Sequence, residues 1–233
     1  MHVPKPPKKF FDFGKGRSSG QRLKARKESF VDRGEVWYDR TSRGMSALKG
    51  RGQNNELWLS ERNNIKDIES RLAFPLRRFL DKTFKQDKPF VLVDWGCGIG
   101  NAISNLAAKF PKAETYGFSM HSYKEWLGNK NTKFILSRDS RFRRYFKKES
   151  VDVIYSHLGF FHLPNSFEHV KVILPCLKKG GILITDIPGD SLKLKSIELD
   201  GMKFSIKEKI WEEPSKDFLT PTHRHVVVVR RIG

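Results

Sequence analysis

Acidic residues are scarce in this chain: Asp and Glu number 26 against 45 Lys and Arg, a formal net charge of +19 over 233 residues. A compact fold carrying such an excess repels itself, so an anionic partner is the natural reading, with nucleic acid ahead of an anionic membrane surface. Cysteine is scarcer still. Cys97 and Cys176 are the only two, too few and too far apart for a disulfide framework or a four-ligand zinc site. No metal site is expected, and reduced thiols suit an intracellular, cytoplasmic protein. Long apolar runs are missing as well. The longest β-branched run, Val226 to Val229, is the size of a strand and far short of the roughly 20 residues that span a bilayer. The first residues, MHVPKPPKKFF, are basic but lack the apolar stretch of a signal peptide. Their low acid content would suit a transit peptide, but Pro4, Pro6 and Pro7 oppose the amphipathic helix such a peptide uses.

What is present divides the chain in three. Residues 1–53 are rich in Lys, Arg, Gly and Ser, without sustained periodicity, and read as a basic, flexible arm. Phe10, Phe11, Phe13, Phe30, Trp37 and Tyr38 are interspersed there. Cations with interleaved rings suit single-stranded nucleic acid, and equally suit a tail whose rings dock on its own domain. Residues 54–85 turn helical: Ile65, Ile68, Leu72, Leu76, Phe79 and Leu80 share one face. Pro75 breaks that pattern, predicting a kink or two short helices, a cover for the domain that follows.

Residues 86–233 alternate strand and helix. Strands are predicted at 90–94, 114–118, 133–136, 151–155 and 182–185, with two more near 202–206 and 226–230. A helix carrying Phe167, Val170, Leu174 and Leu177 should be stopped by Gly180 and Gly181. The expected fold is α/β: a doubly wound, mostly parallel, seven-stranded sheet behind a basic N-terminal extension and a helical cover.

The chemistry concentrates after the first predicted strand, in Asp94-Trp95-Gly96-Cys97-Gly98-Ile99-Gly100. Glycines there allow close approach of a ligand to backbone, and the following helix offers free N–H groups. Dinucleotide sites place glycine in a third position, where this chain has Asn101. The carboxylate of Asp94 would face a pyrophosphate unfavourably. It suits a ligand with a cationic amino group, and S-adenosylmethionine (SAM) carries that group and a sulfonium, with no phosphate.

VLVDWGCGIGN resembles motif I of the class I SAM-dependent methyltransferases. The resemblance continues through VDVIYSHLGFFHL at 151–163 and VILPCLKKGGILITDIP at 172–188. It implies that Asp94, Gly96, Cys97, Gly98 and Gly100 wrap the amino-acid portion of SAM. It also implies that Asp139 sits beside the adenine and that Ser156 and His157 line the methyl-transfer region. Ser119 stands where the family usually has a ribose-binding acid. A hydroxyl there can bond the diol without charge assistance. His157 first and His162 second are the candidate general bases; each is also read as a packing or hydrogen-bonding residue. Asp94 as a turn cap and Asp139 as a solvated ion-pair partner are the plain alternatives. Cys176, though it follows a proline, is read as core.

RNA, ribosomal or transfer, is the expected methyl acceptor. It would be held by the arm and by the cluster Arg138, Arg141, Arg143, Arg144, Lys147 and Lys148, placed by sequence near the cofactor edge. A protein or small molecule is the alternative acceptor. An inactive methyltransferase-like RNA-binding protein is the alternative in kind.

Overall fold

The computed structural model describes residues 30–31, 36–38, 64–84, 88–120, 123–137, 141–160, 166–187, 194–212 and 223–233. Ten strands form one sheet among these residues: β1 (Phe30–Val31), β2 (Val36–Tyr38), β3 (Phe90–Trp95), β4 (Ala113–Ser119), β5 (Lys133–Leu136), β6 (Val151–Ser156), β7 (Leu177–Ile187), β8 (Ser196–Leu199), β9 (Met202–Glu212) and β10 (His223–Arg231). Their order is β1-β2-β5-β4-β3-β6-β7-β10-β9-β8. From β2 to β7 every neighbouring pair is parallel. The pairs β1–β2, β7–β10, β10–β9 and β9–β8 are antiparallel.

The seven strands read from sequence are therefore joined by three more. β8 returns to β9 through Asp200 and Gly201, both at positive φ (51° and 74°), the two-residue geometry that Asp-Gly favours in hairpins. β1 and β2 belong to the basic N-terminal stretch, where two- and three-residue strands leave no periodicity to detect. β2 extends the sheet beyond β5.

Two helices, α1 (Ile65–Arg71) and α2 (Leu76–Phe84), precede β3. They break between Leu72 and Pro75, where Ala73 takes φ 44°. Asn64 caps α1, accepting from the Asp67 amide at 3.0 Å. The apolar face of the pair, from Ile65 to Phe84, joins a cluster with Phe90, Leu92, Ile103, Leu106, Tyr155 and Ile184. That cluster covers one face of the sheet, together with α3 (Asn101–Lys109). The opposite face packs Val91, Val93, Trp95, Phe118 and Ile154 against α4 (Phe142–Tyr145) and α5 (Ser166–Ile173). Alternate residues of β3 thus enter opposite clusters, and all six are buried, which is why β3 reads as a continuous apolar run.

The sequence expectation fails at α5, which stops at Ile173 rather than running to Gly180. A short 3-10 turn, Leu174–Cys176, follows it. Pro175 has no N–H to continue the ladder, and Leu177 is already extended and paired with Val151. Gly180 and Gly181 lie inside β7, at a register shift between the Val151–Leu177 and Val153–Ile182 pairs. Gly180 takes φ 81° there, so the glycines shape a bulge.

Cys176 is fully buried, its Sγ 3.2 Å from the Phe146 carbonyl. Burial pushes its thiol pKa up to about 12. Because the thiolate is the reactive form, Cys176 should resist iodoacetamide at pH 8 in the folded protein and react after denaturation, as peptide mapping would read. Labelling in the native protein would contradict this core placement.

Candidate active site

The parallel strands β3 to β7 end on a common edge. β3 lies between β4 and β6, so the chain leaves it in one direction and returns on the other side. The crevice at such a reversal is where open α/β sheets bind ligands. The sequence delivers its glycine loop to this point.

Asp94, 3% exposed, is the penultimate residue of β3. Its Oδ2 accepts from the Tyr155 hydroxyl of the adjacent strand at 2.9 Å. Burial, reinforced by Asp94, holds the Tyr155 pKa well above its ordinary value, so the phenol stays a donor and satisfies one oxygen of a buried carboxylate. Gly96 and Cys97 then donate backbone N–H groups to the Phe118 carbonyl at 2.7 and 3.1 Å, tying the loop to the end of β4.

Gly96 and Gly100 need to be glycine. Both have positive φ, 82° and 83°. A Cβ on Gly96 would lie 2.8 Å from the Gly159 Cα, and one on Gly100 would lie 2.4 Å from the Phe134 ring. Gly100→Ala therefore combines left-handed strain with overpacking and should cost about 2 to 5 kcal/mol. Urea unfolding would measure this, and a loss below about 0.5 kcal/mol would show that the loop relaxes without consequence.

Beneath the loop, Trp126 is completely buried, stacks on Phe134 with centroids 4.8 Å apart, and donates its indole N–H to the Gly98 carbonyl at 3.0 Å. The Cys97 thiol also lies under the loop: a Cβ on Gly117 would sit 2.9 Å from it. Cys97 thus presents only backbone to the crevice.

Beyond β6 stands a second buried pair. The Asp186 carboxylate, at the end of β7, meets His157 Nδ1 at 2.9 Å and accepts from the Leu158 backbone N–H at 2.7 Å. Both side chains are essentially inaccessible. Leu158 takes φ 59°, and Asp186 holds it there. An ionised carboxylate only accepts, so the proton of a neutral imidazole belongs on Nδ1 and the lone pair on Nε2. Alternation puts Asp94, Tyr155, His157 and Asp186 on the same side of the sheet, the side covered by α1 to α3.

Of the residues singled out from sequence, the structure brings Asp94, Gly96, Gly98, Gly100, Ser119, Ser156 and His157 to this edge. Ser119 is buried at the end of β4, its carbonyl bonded to the Ser137 N–H at 2.9 Å. Ser156 is buried, and its Oγ has no hydrogen-bond partner among the described residues. Asp139, His162 and Arg138 lie outside the described residues. Two members of the expected basic cluster, Lys147 and Lys148, are not at this edge. α4 carries the chain from the end of β5 back to the start of β6, so Lys147 and Lys148 sit at the opposite edge. Lys148 Nζ there lies 3.4 Å from the Asp200 carbonyl. Asp186, Tyr155 and Trp126 went unread. An acid near the end of an apolar strand, as in ITDI, is the same signal that marked Asp94. Tyr155 and Trp126 look like any core aromatic.

Three features fit SAM. A buried carboxylate stands near the end of β3, Gly96, Gly98 and Gly100 hold the loop at positive φ with no side chains of their own, and the Ser156 hydroxyl is buried with no hydrogen-bond partner among the described residues. Among the described residues no group of His, Cys, Asp and Glu could hold a metal ion, and no helix is long and apolar enough to cross a membrane.

Comparison with known proteins agrees with this geometry. Residues 93–185 match the family model described as "Methyltransferase domain". The trans-aconitate 2-methyltransferase of Rhodopseudomonas palustris strain BisA53 is 26% identical over 151 residues, 63% of this chain and 56% of that protein. A second one, from strain BisB18, is 26% identical over 107 residues, 44% of this chain and 40% of that protein. The chain thus spans about half the length of the curated relatives it matches. Among solved structures, the Burkholderia thailandensis 1,6-didemethyltoxoflavin-N1-methyltransferase, bound to 1,6-didemethyltoxoflavin and S-adenosylhomocysteine, superposes with a TM-score of 0.53 at 11% identity, covering 81% of this chain and 86% of that one. At such identity the likeness is one of fold.

Proposed function

We propose, from the premise that this chain carries a class I SAM-dependent methyltransferase domain, that it transfers the methyl group of SAM to RNA, with His157 as the base that accepts the acceptor's proton. The observation that carries the catalytic part is the buried His157–Asp186 pair beside the glycine loop. Asp94 and the backbone of Gly96, Gly98 and Gly100 would hold the amino-acid portion of the cofactor, and Ser156 would line the methyl-transfer region. Ser119, at the end of β4, would bond the ribose. The cofactor supplies an activated methyl group on a good leaving group. The chain's own residues then have to align the acceptor, exclude water and take up a proton where the acceptor carries one. Asp186 fixes the ring so that Nε2 is the basic nitrogen.

RNA as acceptor is supported by the net charge of +19 and the basic stretch at 1–53. A small anionic acceptor is the second reading, favoured by the trans-aconitate methyltransferase relatives; the same charge would attract a polycarboxylate. Incubation with tritiated-methyl SAM and, separately, total RNA, protein extract and pooled metabolites decides between them. Label in the RNA fraction supports the first reading. Label confined to small molecules replaces it with the second.

A further inference from the structure

The sheet has a second edge, opposite the one that carries the glycine loop. The starts of β3 to β7 lie there, and lysines precede or open most of them. Lys112 stands immediately before β4, Lys130 and Lys133 flank or open β5, Lys147 and Lys148 precede β6, and Lys178 and Lys179 open β7. The nearby acids are already held by bases. Glu114 pairs with Lys133 at 2.9 Å, Asp152 with Lys178 at 2.6 Å, Glu149 with Arg231 at 2.9 Å and Asp200 with Arg143 at 3.4 Å. Lys130, Lys147 and Lys179 are exposed and make no ion pair among the described residues, so the edge keeps a positive surplus.

At the β4–β5 end of this edge the surface folds into a cleft of about 510 Å³. Lys112, Lys130 and Lys133 line it beside Thr115, Asn131 and Thr132, with Glu114 the one acid in its wall. That carboxylate is engaged twice, by Lys133 and by the Tyr116 hydroxyl at 2.7 Å. The Thr115 hydroxyl is buried and already donates to the Asn131 carbonyl at 2.9 Å, so what the cleft offers phosphate oxygens is its lysine ammonium groups. The seven residues of β4 put the cleft about 20 Å from the methyl-transfer edge, at ~3.3 Å per residue.

We propose that this second edge is a phosphate-backbone contact surface, that the cleft seats a backbone phosphate, and that the acceptor is a structured RNA broad enough to reach both edges at once. This rests on the RNA reading above and narrows it, because a nucleotide or other small acceptor could not bridge about 20 Å. Surface charge of this kind positions the nucleic acid rather than reading its sequence.

The test is binding of the full chain to bulk transfer RNA at several salt concentrations, for the parent and for Lys130→Glu/Lys147→Glu/Lys179→Glu. All three positions are exposed, and melting temperature checks the fold; Lys→Gln at the same sites is the milder variant should the reversals disturb it. Each phosphate that a lysine no longer neutralises should lower the log–log salt slope by about 0.7 to 0.9, so a shallower slope by about 2 to 3 and weaker binding are expected. A folded variant with the parent's affinity and slope overturns the second edge while leaving RNA as the acceptor. A parent that binds no RNA overturns both. Loss of binding to anionic phosphatidylglycerol vesicles, with RNA binding unaffected, also overturns the proposal in favour of a membrane surface.

Discussion

His157→Ala should lower methyl transfer by about 10²- to 10⁴-fold, the usual contribution of a positioned general base, while SAM affinity changes little. The ring is buried, held by Asp186 and placed one residue beyond β6, at the reversal of strand order. Asp186→Asn should reproduce much of the loss by another route. A carboxamide can donate to Nδ1, which moves the imidazole proton to Nε2 and removes the lone pair from the working nitrogen. Asp186 also steadies Leu158, so each variant needs a melting curve. Nitrogen-15 spectra of the histidines separate the two roles. A tautomer change with a preserved fold identifies positioning; a disrupted fold with no tautomer change identifies packing. A folded His157→Ala protein with the parent's rate and pH profile would remove His157 from the chemistry. The acceptor would then be a nucleophile that reacts without prior deprotonation.

Asp94→Ala should weaken SAM by about 10- to 100-fold, since a hydrogen bond to a charged group contributes about 1.5 to 3 kcal/mol. The substitution also strands the Tyr155 hydroxyl in the core. Asp94→Ala/Tyr155→Phe removes both partners, and it should regain stability without regaining affinity. That combination distinguishes a cofactor ligand from a turn anchor. If the double variant recovered SAM binding, Asp94 would serve only to satisfy Tyr155.

Much of this architecture was legible because each element obeys a local rule. β3 reads as a strand because Phe90 to Val93 fill both faces of the sheet, and its loop reads as a ligand site because Gly96 and Gly100 occupy conformations that side chains avoid. The helical cover was visible through its three- and four-residue spacing and its proline break. Where reading failed, the deciding interactions were distant in sequence or the segment was too short. The helix expected through Leu177 gives way to the pairing of Leu177 with Val151, an interaction across 26 positions. β1 and β2 are too brief for any period. The site was half legible: Asp94 and the glycines announce themselves within one loop, whereas Asp186 acquires meaning only when β7 comes to lie beside β6. Lys147 and Lys148, at the end of the basic cluster after β5, were misplaced for a related reason. Composition located its charge, but only the descent of α4 sends Lys147 and Lys148 to the far edge.

Calorimetric titration of the full chain with SAM, with S-adenosylhomocysteine and, separately, with NAD bears most directly on the central assignment. Binding of the two sulfur nucleosides, a melting temperature raised in proportion to their occupancy and no response to NAD are the predicted results. Binding of NAD with no response to SAM would contradict the electrostatic reading of the Asp94 loop and, with it, the methyltransferase account.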